Sequence, residues 1–289
     1  MATLLKAQPL VDSRIPIMRD ECAELIRRGI HPKLVVVQVG DNPASLSYIT
    51  NKRRLCERVG AQFELRHLPE STSAAEFQRV MEGINADKAV HGCIIQLPVY
   101  GGCHSLPLET MVAPHKDVDG FHPANTAQFY LGRLDQAALL PCTPKGVMSL
   151  LEYYRIPLAG KNAVVLGRSQ IVGKPLSLLL NLAGATVTMC HSQTRDLAEH
   201  TRRADIVISA VGREKLLRAE HFDPQRRTVV VDVGMNKSSE GKLVGDVDFA
   251  AVEPLVQAIT PVPGGVGPMT VLSLIENLLT AAKNSKDRP

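Results

Sequence analysis

The sequence predicts an α/β protein of two three-layer domains with a cleft between them. Short β-branched runs alternate with helical patterns from one end of the chain to the other, which is typical of largely parallel sheets. The runs are almost continuously apolar, as strands covered on both faces must be. The length of 289 residues is also about twice that of an average domain of ~150 residues.

The first half of the chain carries three predicted strands and two predicted helices. The first strand, K-L-V-V-V-Q-V, is closed by a turn at residues 40–43, and serine and threonine at 71–73 can cap the second helix. In chain order the predicted elements are strand 33–39, helix 44–59, strand 62–68, helix 73–86 and strand 91–97.

The second half repeats the order of strand, loop and helix. The segment L-P-C-T-P-K-G at 140–146 is rich in proline and indicates a domain boundary. We therefore predict a first domain at 1–140, with a C-terminal helix at 270–289 packing back on it, and a second domain at 141–269. The predicted strands of the second half are 163–166, 186–190, 206–210 and 228–233.

The composition excludes several classes of protein. With 45% apolar and 21% charged residues, the chain is not intrinsically disordered. A dispersed net charge of +4 and only 4% aromatic residues argue against nucleic-acid binding. No apolar run reaches the ~18 residues of a membrane span. Six irregularly spaced cysteines and the lack of a visible secretion signal favour reduced thiols and a cytoplasmic location.

A glycine-rich segment, G-R-S-Q-I-V-G-K-P from Gly167 to Pro175, lies directly between a predicted strand and a predicted helix. Backbone amides at such a junction can approach a phosphate, and the helix N-terminus adds partial positive charge. The segment is not an ATPase P-loop, because five residues separate its glycines and a proline replaces the magnesium-binding hydroxyl. It favours a Rossmann-like dinucleotide site, the alternative being an incidental glycine turn.

The end of the next strand distinguishes NADP from NAD. NAD sites usually place an acidic residue there, on the ribose 2′-hydroxyl. This chain instead has Cys190, His191 and Ser192, with Arg195 beyond and Arg168 in the glycine loop. Hydroxyl and guanidinium donors suit a 2′-phosphate, so the sequence favours NADP.

Several polar residues of the first domain have both a functional and a bland interpretation. Tyr48 and Lys52 share a helix face but could be a surface pair, and Gln96 ends a buried strand, where α/β folds place ligand-binding residues. The turn K-D-V-D-G-F at 116–121 is most simply a solvated loop, since Phe121 rules out an EF-hand. P-V-P-G-G-V-G-P-M-T at 261–270 is too rich in proline and glycine for a regular element. The histidines show no metal-ligand spacing, so no metal is expected.

Taken in order, these motifs resemble one family closely. G-D-N-P-A-S with Y-x-x-x-K, then Q-L-P, K-D-V-D-G-F-H-P, P-C-T-P-K-G, G-R-S-x-I-V-G-K-P, D-V-G and T-P-V-P-G-G-V-G-P-M-T run from about Gly40 to Leu279. They are similar to the bifunctional methylenetetrahydrofolate dehydrogenase/methenyltetrahydrofolate cyclohydrolase family. The resemblance implies NADP-dependent oxidation of 5,10-methylenetetrahydrofolate and hydrolysis of the product to 10-formyltetrahydrofolate. It also implies a homodimer acting in one-carbon metabolism and purine biosynthesis.

The resemblance implies four catalytic positions. Lys52 would be the catalytic lysine, Tyr48 would pack on the folate ring system, and Gln96 would contact both Lys52 and the folate. Asp119 would bind the pterin. Because hydride loss leaves a cation on the folate, we expect Lys52 to be neutral for part of the cycle, with Gln96 as an uncharged partner. Asp119, as an anion, would accept paired N–H groups of the pterin.

The resemblance also implies the remaining binding residues. The folate cleft would be lined by Pro263 and Gly264. Cofactor contacts would come from Arg168, Ser169 and Ser192 at the 2′-phosphate, and from Gly167, Met235, Gly267 and Thr270 elsewhere.

The chain departs from the family pattern in two places. Residues 124–129 read A-N-T-A-Q-F where relatives more often have N-x-G-R-L, and the N-terminal A-Q-P-L-V-D lacks a common D-G-K. Two alternatives remain open from the sequence. One is another NADP-dependent dehydrogenase of the same two-domain plan, such as a shikimate dehydrogenase-like enzyme, and the other is a non-catalytic folate- or nucleotide-binding module.

Overall fold

The computed structural model describes residues 1–134, 139–238 and 240–285, which form two units of α/β structure. We call them the three-stranded unit, residues 12–142 and 271 onward, and the six-stranded unit, residues 1–11 and 143–270. All strand pairs in the two main sheets are parallel. The predicted fold class, α/β with parallel sheets in two domains, is confirmed.

The strands of the described residues are short, two to seven residues each. In chain order they are β1 (Thr3–Leu4), β2 (Lys33–Val39), β3 (Gln62–Leu68), β4 (Gly92–Ile95), β5 (Asn162–Leu166), β6 (Thr186–Cys190), β7 (Ile206–Ser209), β8 (Val229–Asp232), β9 (Asn236–Lys237), β10 (Leu243–Val244) and β11 (Ala258–Ile259).

The helices range from four to twenty residues. In chain order they are α1 (Gln8–Arg27), α2 (Pro43–Val59), α3 (Ala74–Ala86), α4 (Leu108–Met111), α5 (Pro123–Tyr130), α6 (Cys142–Tyr153), α7 (Gly173–Leu182), α8 (Leu197–Arg202), α9 (Phe249–Val252) and α10 (Val266–Lys283).

The main sheet of the six-stranded unit has the order β1-β11-β8-β7-β5-β6. After the edge strand β1, the chain returns to this sheet at β5 and places β6 on one side of it and β7 on the other, so the strand order reverses at β5. Leu166, Ser209 and Asp232 are paired across β5, β7 and β8 and end these strands on one edge. Open α/β sheets bind ligands at this edge, beside the point of reversal. A separate antiparallel ribbon joins β9 to β10.

The sheet of the three-stranded unit has the order β3-β2-β4, with β2 in the centre. Its register pairs Lys33 with Gln62 and Val39 with Leu68. The valines of β2 are buried, and some of them pack with Phe77 and Met81 of α3 in one apolar cluster. This packing fixes the carboxyl edge of the sheet, where β2 ends at Val39 and β4 at Ile95.

The structure differs from the sequence-based expectations at several points. The long helix α1 escaped prediction because Pro16 lies inside it, where proline is normally unfavourable. We did not expect helix in the proline-rich segments 140–146 and 261–270. They contain the first turns of α6 and α10, respectively, because a helix tolerates proline in its first turn. Residues 1–11 lie with the six-stranded unit rather than in the first domain, since β1 pairs with β11.

All six cysteines are buried and none forms a disulfide bond. Among the described helices, none combines the length and the apolar character that crossing a bilayer requires.

A buried asparagine of α10 binds two backbone carbonyl oxygens in the segment between β4 and α6. Asn277 is 1% exposed, and its Nδ2 donates to the carbonyl oxygens of Val118 at 2.9 Å and Leu140 at 2.8 Å. We expect Asn277→Ala to lower the free energy of unfolding by about 2–3 kcal/mol, because both carbonyls lose a buried donor. Urea denaturation measures this loss. Asn51→Ala, on the exposed face of α2, should stay within about 0.5 kcal/mol, and equal losses in both variants would contradict the assignment.

Candidate functional site

Lys52 and Gln96 meet at the carboxyl edge of the three-stranded sheet. Lys52 lies on α2, Gln96 directly follows β4, and Lys52 Nζ donates to Gln96 Oε1 at 2.9 Å. The Gln96 amide has a defined orientation, because its Nε2 donates to the carbonyl oxygen of Leu97 at 2.9 Å. The two side chains, 44 positions apart in the sequence, are therefore brought together as the resemblance implies.

The surroundings of Lys52 make its ammonium easier to deprotonate than that of a lysine in water. The side chain is partly buried on the same helix as the buried Ile49 and Leu55. Burial lowers the pKa of Lys52, and the charge of Asp119 opposes this effect only in part. Tyr48, one helical turn earlier, is also partly buried, and burial raises the pKa of its phenol. An amine of this kind can accept a proton.

Asp119 lies on the turn at 116–121, which the sequence interpretation took for a solvated loop. That interpretation was wrong: Lys116 and Asp117 are 4% and 5% exposed. Lys116 Nζ donates to the carbonyl oxygens of Ile84 at 2.9 Å and Asp87 at 2.6 Å, which replace its water shell.

Asp117 organises the same turn. Its carboxylate accepts from Gly120 N at 3.1 Å, His122 N at 2.7 Å and Asn125 Nδ2 at 2.9 Å. Burial raises the pKa of the neighbouring Asp119, and the charge of Asp117 adds to the effect. The Lys52 charge and a hydrogen bond with Cys142 act in the opposite direction. Asp119 and Lys52 therefore each stabilise the other's charged form against the cost of burial.

Two residues missed by the sequence interpretation support this group. Cys142 Sγ donates to the carbonyl oxygen of Val118 at 3.1 Å, and Asn277 binds the same carbonyl from α10. Pro263 and Gly264 belong to the six-stranded unit, where Gly264 has a φ of +103° and its oxygen accepts from Ala7 N at 2.9 Å. The motif P-C-T-P-K-G contained the signal for Cys142, although we used it only for the domain boundary and the family resemblance and gave Cys142 no role.

The glycine loop follows β5 in the six-stranded unit. Gly167 has a φ of +111°, and a Cβ there would run into the carbonyl oxygen of Ala210, so only glycine fits. A Cβ on Gly173 would likewise run into the Gly167 oxygen. Ser169 Oγ accepts from Val172 N at 3.2 Å and Gly173 N at 3.3 Å. These two amides at the start of α7 are thus bound within the loop, and the side chains of Arg168 and Ser169 are exposed.

The other expected cofactor residues lie in the same unit. Ser192 is exposed in a turn after β6 that is held by a bond of 2.9 Å from His191 N to Thr194 Oγ1. Met235 follows β8, and a Cβ on Gly267 would lie 3.9 Å from its sulfur. Thr270 Oγ1 is 3.0 Å from Thr143 Oγ1.

Two family models match the chain, one on each half. The "Tetrahydrofolate dehydrogenase/cyclohydrolase, catalytic domain" matches residues 6–119, and the "Tetrahydrofolate dehydrogenase/cyclohydrolase, NAD(P)-binding domain" matches residues 141–286. The chain belongs to the tetrahydrofolate dehydrogenase/cyclohydrolase family. It is therefore an enzyme with the two activities for which the family is named, and the shikimate dehydrogenase-like alternative is not favoured.

Relatives along the full length agree with this assignment. The chain is 48% identical over 285 residues to the bifunctional protein FolD of Burkholderia pseudomallei, covering 98% of each chain. It is 43% identical to the solved FolD dehydrogenase/cyclohydrolase of Campylobacter jejuni, with a TM-score of 0.93 and coverage of 98% and 99%. The Trypanosoma brucei FolD structure, complexed with NADP cofactor and inhibitor, is 33% identical, with a TM-score of 0.92 and coverage of 99% of each chain.

Because Lys52 contacts Gln96, a charged side chain at position 96 should change the proton affinity of Lys52. Gln96→Glu would place a carboxylate beside Lys52 Nζ, and we expect the pKa of Lys52 to rise by about one pH unit or more, because an opposite charge favours the ammonium. A pH titration by NMR of protein labelled with ¹⁵N-lysine measures it. The control Gln78→Glu, on the exposed face of α3, should leave this pKa unchanged. An unaltered Lys52 pKa in Gln96→Glu would disprove the contact.

Proposed function

We propose that this chain oxidises 5,10-methylenetetrahydrofolate to the 5,10-methenyl cation with NADP and then hydrolyses that cation to 10-formyltetrahydrofolate. The observation that carries the proposal is the hydrogen bond of 2.9 Å between Lys52 Nζ and Gln96 Oε1. It brings a partly buried amine with a lowered pKa to an uncharged partner, in a chain of the tetrahydrofolate dehydrogenase/cyclohydrolase family.

In the oxidation, residues of the three-stranded unit bind the folate and place no positive charge beside the cation that forms on it. Asp119 accepts N–H groups of the pterin edge, and the Tyr48 ring packs on the folate ring system. NADP, when bound, would supply the acceptor for the hydride that leaves the methylene carbon. The folate becomes a cation at that point, so an ammonium at Lys52 would raise the barrier, whereas the neutral amine and the Gln96 amide do not.

In the hydrolysis, Lys52 acts as the general base. Its neutral amine donates one hydrogen to Gln96 Oε1 and keeps a lone pair for the proton of the attacking water. The water oxygen bonds to the methenyl carbon as Lys52 takes the first water proton, giving a neutral carbinol. The carbinol hydroxyl then gives up the second proton as its oxygen becomes a carbonyl, the bond from the carbon to N5 breaks, and N5 takes up a proton in exchange. The formyl group then remains on N10. Asp119 stabilises the Lys52 ammonium formed after proton transfer, since each charge favours the other.

The residues after β5 and β6 fit a cofactor with a 2′-phosphate. Arg168, Ser169 and Ser192 are exposed and offer one guanidinium and two hydroxyls, and positions 190–192 carry no carboxylate to repel a phosphate. The positive φ of Gly167, +111°, lets the chain turn directly after β5, which brings Arg168 and Ser169 to the carboxyl edge of the sheet. Met235, Gly267 and Thr270 supply further contacts.

The wider setting belongs to the same proposal. Pro263 and Gly264 line the folate site, and two copies of the chain form a homodimer through the six-stranded unit. The enzyme works in the cytoplasm and supplies one-carbon units for purine biosynthesis. The dispersed net charge of +4 agrees with small anionic substrates rather than nucleic acid.

The proposal is tested by assaying the protein with 5,10-methylenetetrahydrofolate and NADP, following both NADPH and the methenyl chromophore. Lys52→Met removes the base, so we expect hydrolysis of supplied 5,10-methenyltetrahydrofolate to fall by about 10²-fold or more. Lys88→Met, an exposed lysine, is the matched control and should retain full activity. Unimpaired hydrolysis by Lys52→Met would refute the assignment of the base.

A second variant tests the choice of cofactor. We expect Arg168→Ala to lower kcat/KM with NADP about tenfold, because a charge-assisted hydrogen bond to the 2′-phosphate is lost. The weaker activity with NAD should be unaltered, since NAD lacks that phosphate. Arg203→Ala, which removes an exposed helix pair with Glu199, controls for the loss of a surface charge. An equal loss with NADP and NAD would argue against a contact between Arg168 and the phosphate.

A further inference from the structure

Two buried carboxylates in the six-stranded unit have no part in the proposed chemistry. Asp232 ends β8 and is 3% exposed, and Asp246 follows β10 and is fully buried. They lie in two short motifs of related sequence, D-V-G at 232–234 and G-D-V at 245–247. Burying a carboxylate costs free energy unless its oxygens accept hydrogen bonds. The donors around Asp232 and Asp246 therefore identify the segments that these side chains hold.

Asp246 is surrounded by neutral donors from two separate segments. Three of them are successive backbone amides, which form a concave site of the kind that binds anions. In the described structure, Oδ2 accepts from Ser209 Oγ at 2.9 Å, Val211 N at 2.8 Å and Gly212 N at 3.3 Å, and Oδ1 accepts from Arg213 N at 2.8 Å and Asn236 Nδ2 at 3.1 Å.

Asp232 in turn holds the segment that carries Asp246. Its Oδ1 accepts from Gly234 N at 2.9 Å and Asp246 N at 3.0 Å, and its Oδ2 accepts from Val247 N at 2.8 Å. The fit is reciprocal, because a Cβ on Gly234 would run into the Asp246 carboxylate and a Cβ on Gly245 into that of Asp232. The two motifs therefore lock together as a single unit, which we call the carboxylate clamp (232–234 and 245–247).

The clamp holds the two segments that follow β7 and β8. Ser209 and Asp232 are paired at the carboxyl edge of the sheet, in the same row as Leu166, which precedes the glycine loop. The oxygen of Ala210 lies where a Cβ on Gly167 would point, so segment 210–213 packs against that loop. Asn236, which donates to Asp246, is adjacent to Met235. Both held segments thus border the proposed cofactor site.

We propose that Asp246 and Asp232 are positioning residues for the cofactor, and this proposal rests on the proposed NADP function. Asp246 fixes segments 210–213 and 235–236 before the cofactor arrives, so that binding does not have to order them. It also fills the amide site at 211–213 with an anion of the protein itself. A cofactor phosphate is thereby excluded from that site and is left to the exposed donors near Gly167.

The test compares Asp246→Asn with the matched control Asp248→Asn, whose side chain does not cap α9. An asparagine has one acceptor oxygen and an NH₂ group that cannot accept from the amides it faces. We expect faster hydrogen exchange at the amides of 211–213 and a dissociation constant for NADP raised about tenfold, measured by calorimetry. The KM for NADP should rise likewise. Hydrolysis of 5,10-methenyltetrahydrofolate supplied without cofactor should remain within about twofold of wild type, since the three-stranded unit carries that step.

A purely structural role would give a different pattern, with a lower unfolding midpoint and equal losses in both activities, and would overturn the proposal. Unchanged exchange together with unchanged NADP binding in Asp246→Asn would also overturn it. If Asp246→Asn does not fold, Asn236→Ala removes only the donor from the second segment. That variant should weaken NADP binding about threefold or more and retain hydrolysis, and unchanged binding would again overturn the proposal.

The same experiment separates this proposal from the proposed function. If the wild-type protein neither binds NADP nor oxidises the folate, the proposed function fails. In that case the exchange rates at 211–213 still report whether Asp246 holds the segment, although the held segment would then serve another ligand.

Discussion

The chemistry depends on a balance between burial and charge at a single amine. Taking Lys52 out of water disfavours its ammonium form, whereas the nearby Asp119 favours it. Either influence alone would be unsuitable, because a permanent ammonium would oppose hydride loss and a deeply isolated amine could not hold a proton from water. Gln96 Oε1 accepts a hydrogen bond of 2.9 Å from the amine and adds no charge. The proton affinity of Lys52 is therefore set by its burial and by the carboxylate of Asp119.

The fold of the three-stranded unit provides this balance by joining distant parts of the chain. Lys52 comes from α2, Gln96 from the end of β4, and Asp119 from a buried turn. The C-terminal helix α10 supplies Asn277, which binds the carbonyl oxygen next to Asp119 in the chain. The turn is therefore anchored by a residue that lies 159 positions after Val118, in the segment that returns to this unit from the six-stranded one.

Local patterns in the sequence predicted some of this and missed the rest for physical reasons. The strands 33–39 and 62–68 have the predicted bounds, because the first contains a run of valines and the second alternates Phe63 and Leu65 with polar residues. The spacing of Tyr48 and Lys52 placed both on one helix face. Burial of the turn at 116–121 could not be predicted, because K-D-V-D-G-F reads as solvated until the carbonyl oxygens of Ile84 and Asp87 are found around the Lys116 ammonium. Such partners are set by tertiary structure alone.

Asp119 and Asp246 serve different purposes, and the partners of each carboxylate explain the difference. Asp246 is surrounded by backbone amides, a hydroxyl and a side-chain amide, all neutral groups that do not titrate near neutral pH. Its charge is stabilised by fixed dipoles, and its role is to hold the backbone segments that donate to it. Asp119 faces an amine, and its proton affinity is coupled to that of Lys52. A carboxylate becomes part of the chemistry when its partner can gain or lose a proton. Asp117 in the three-stranded unit and Asp246 in the six-stranded unit accept from neutral donors, and both hold the conformation of the backbone instead.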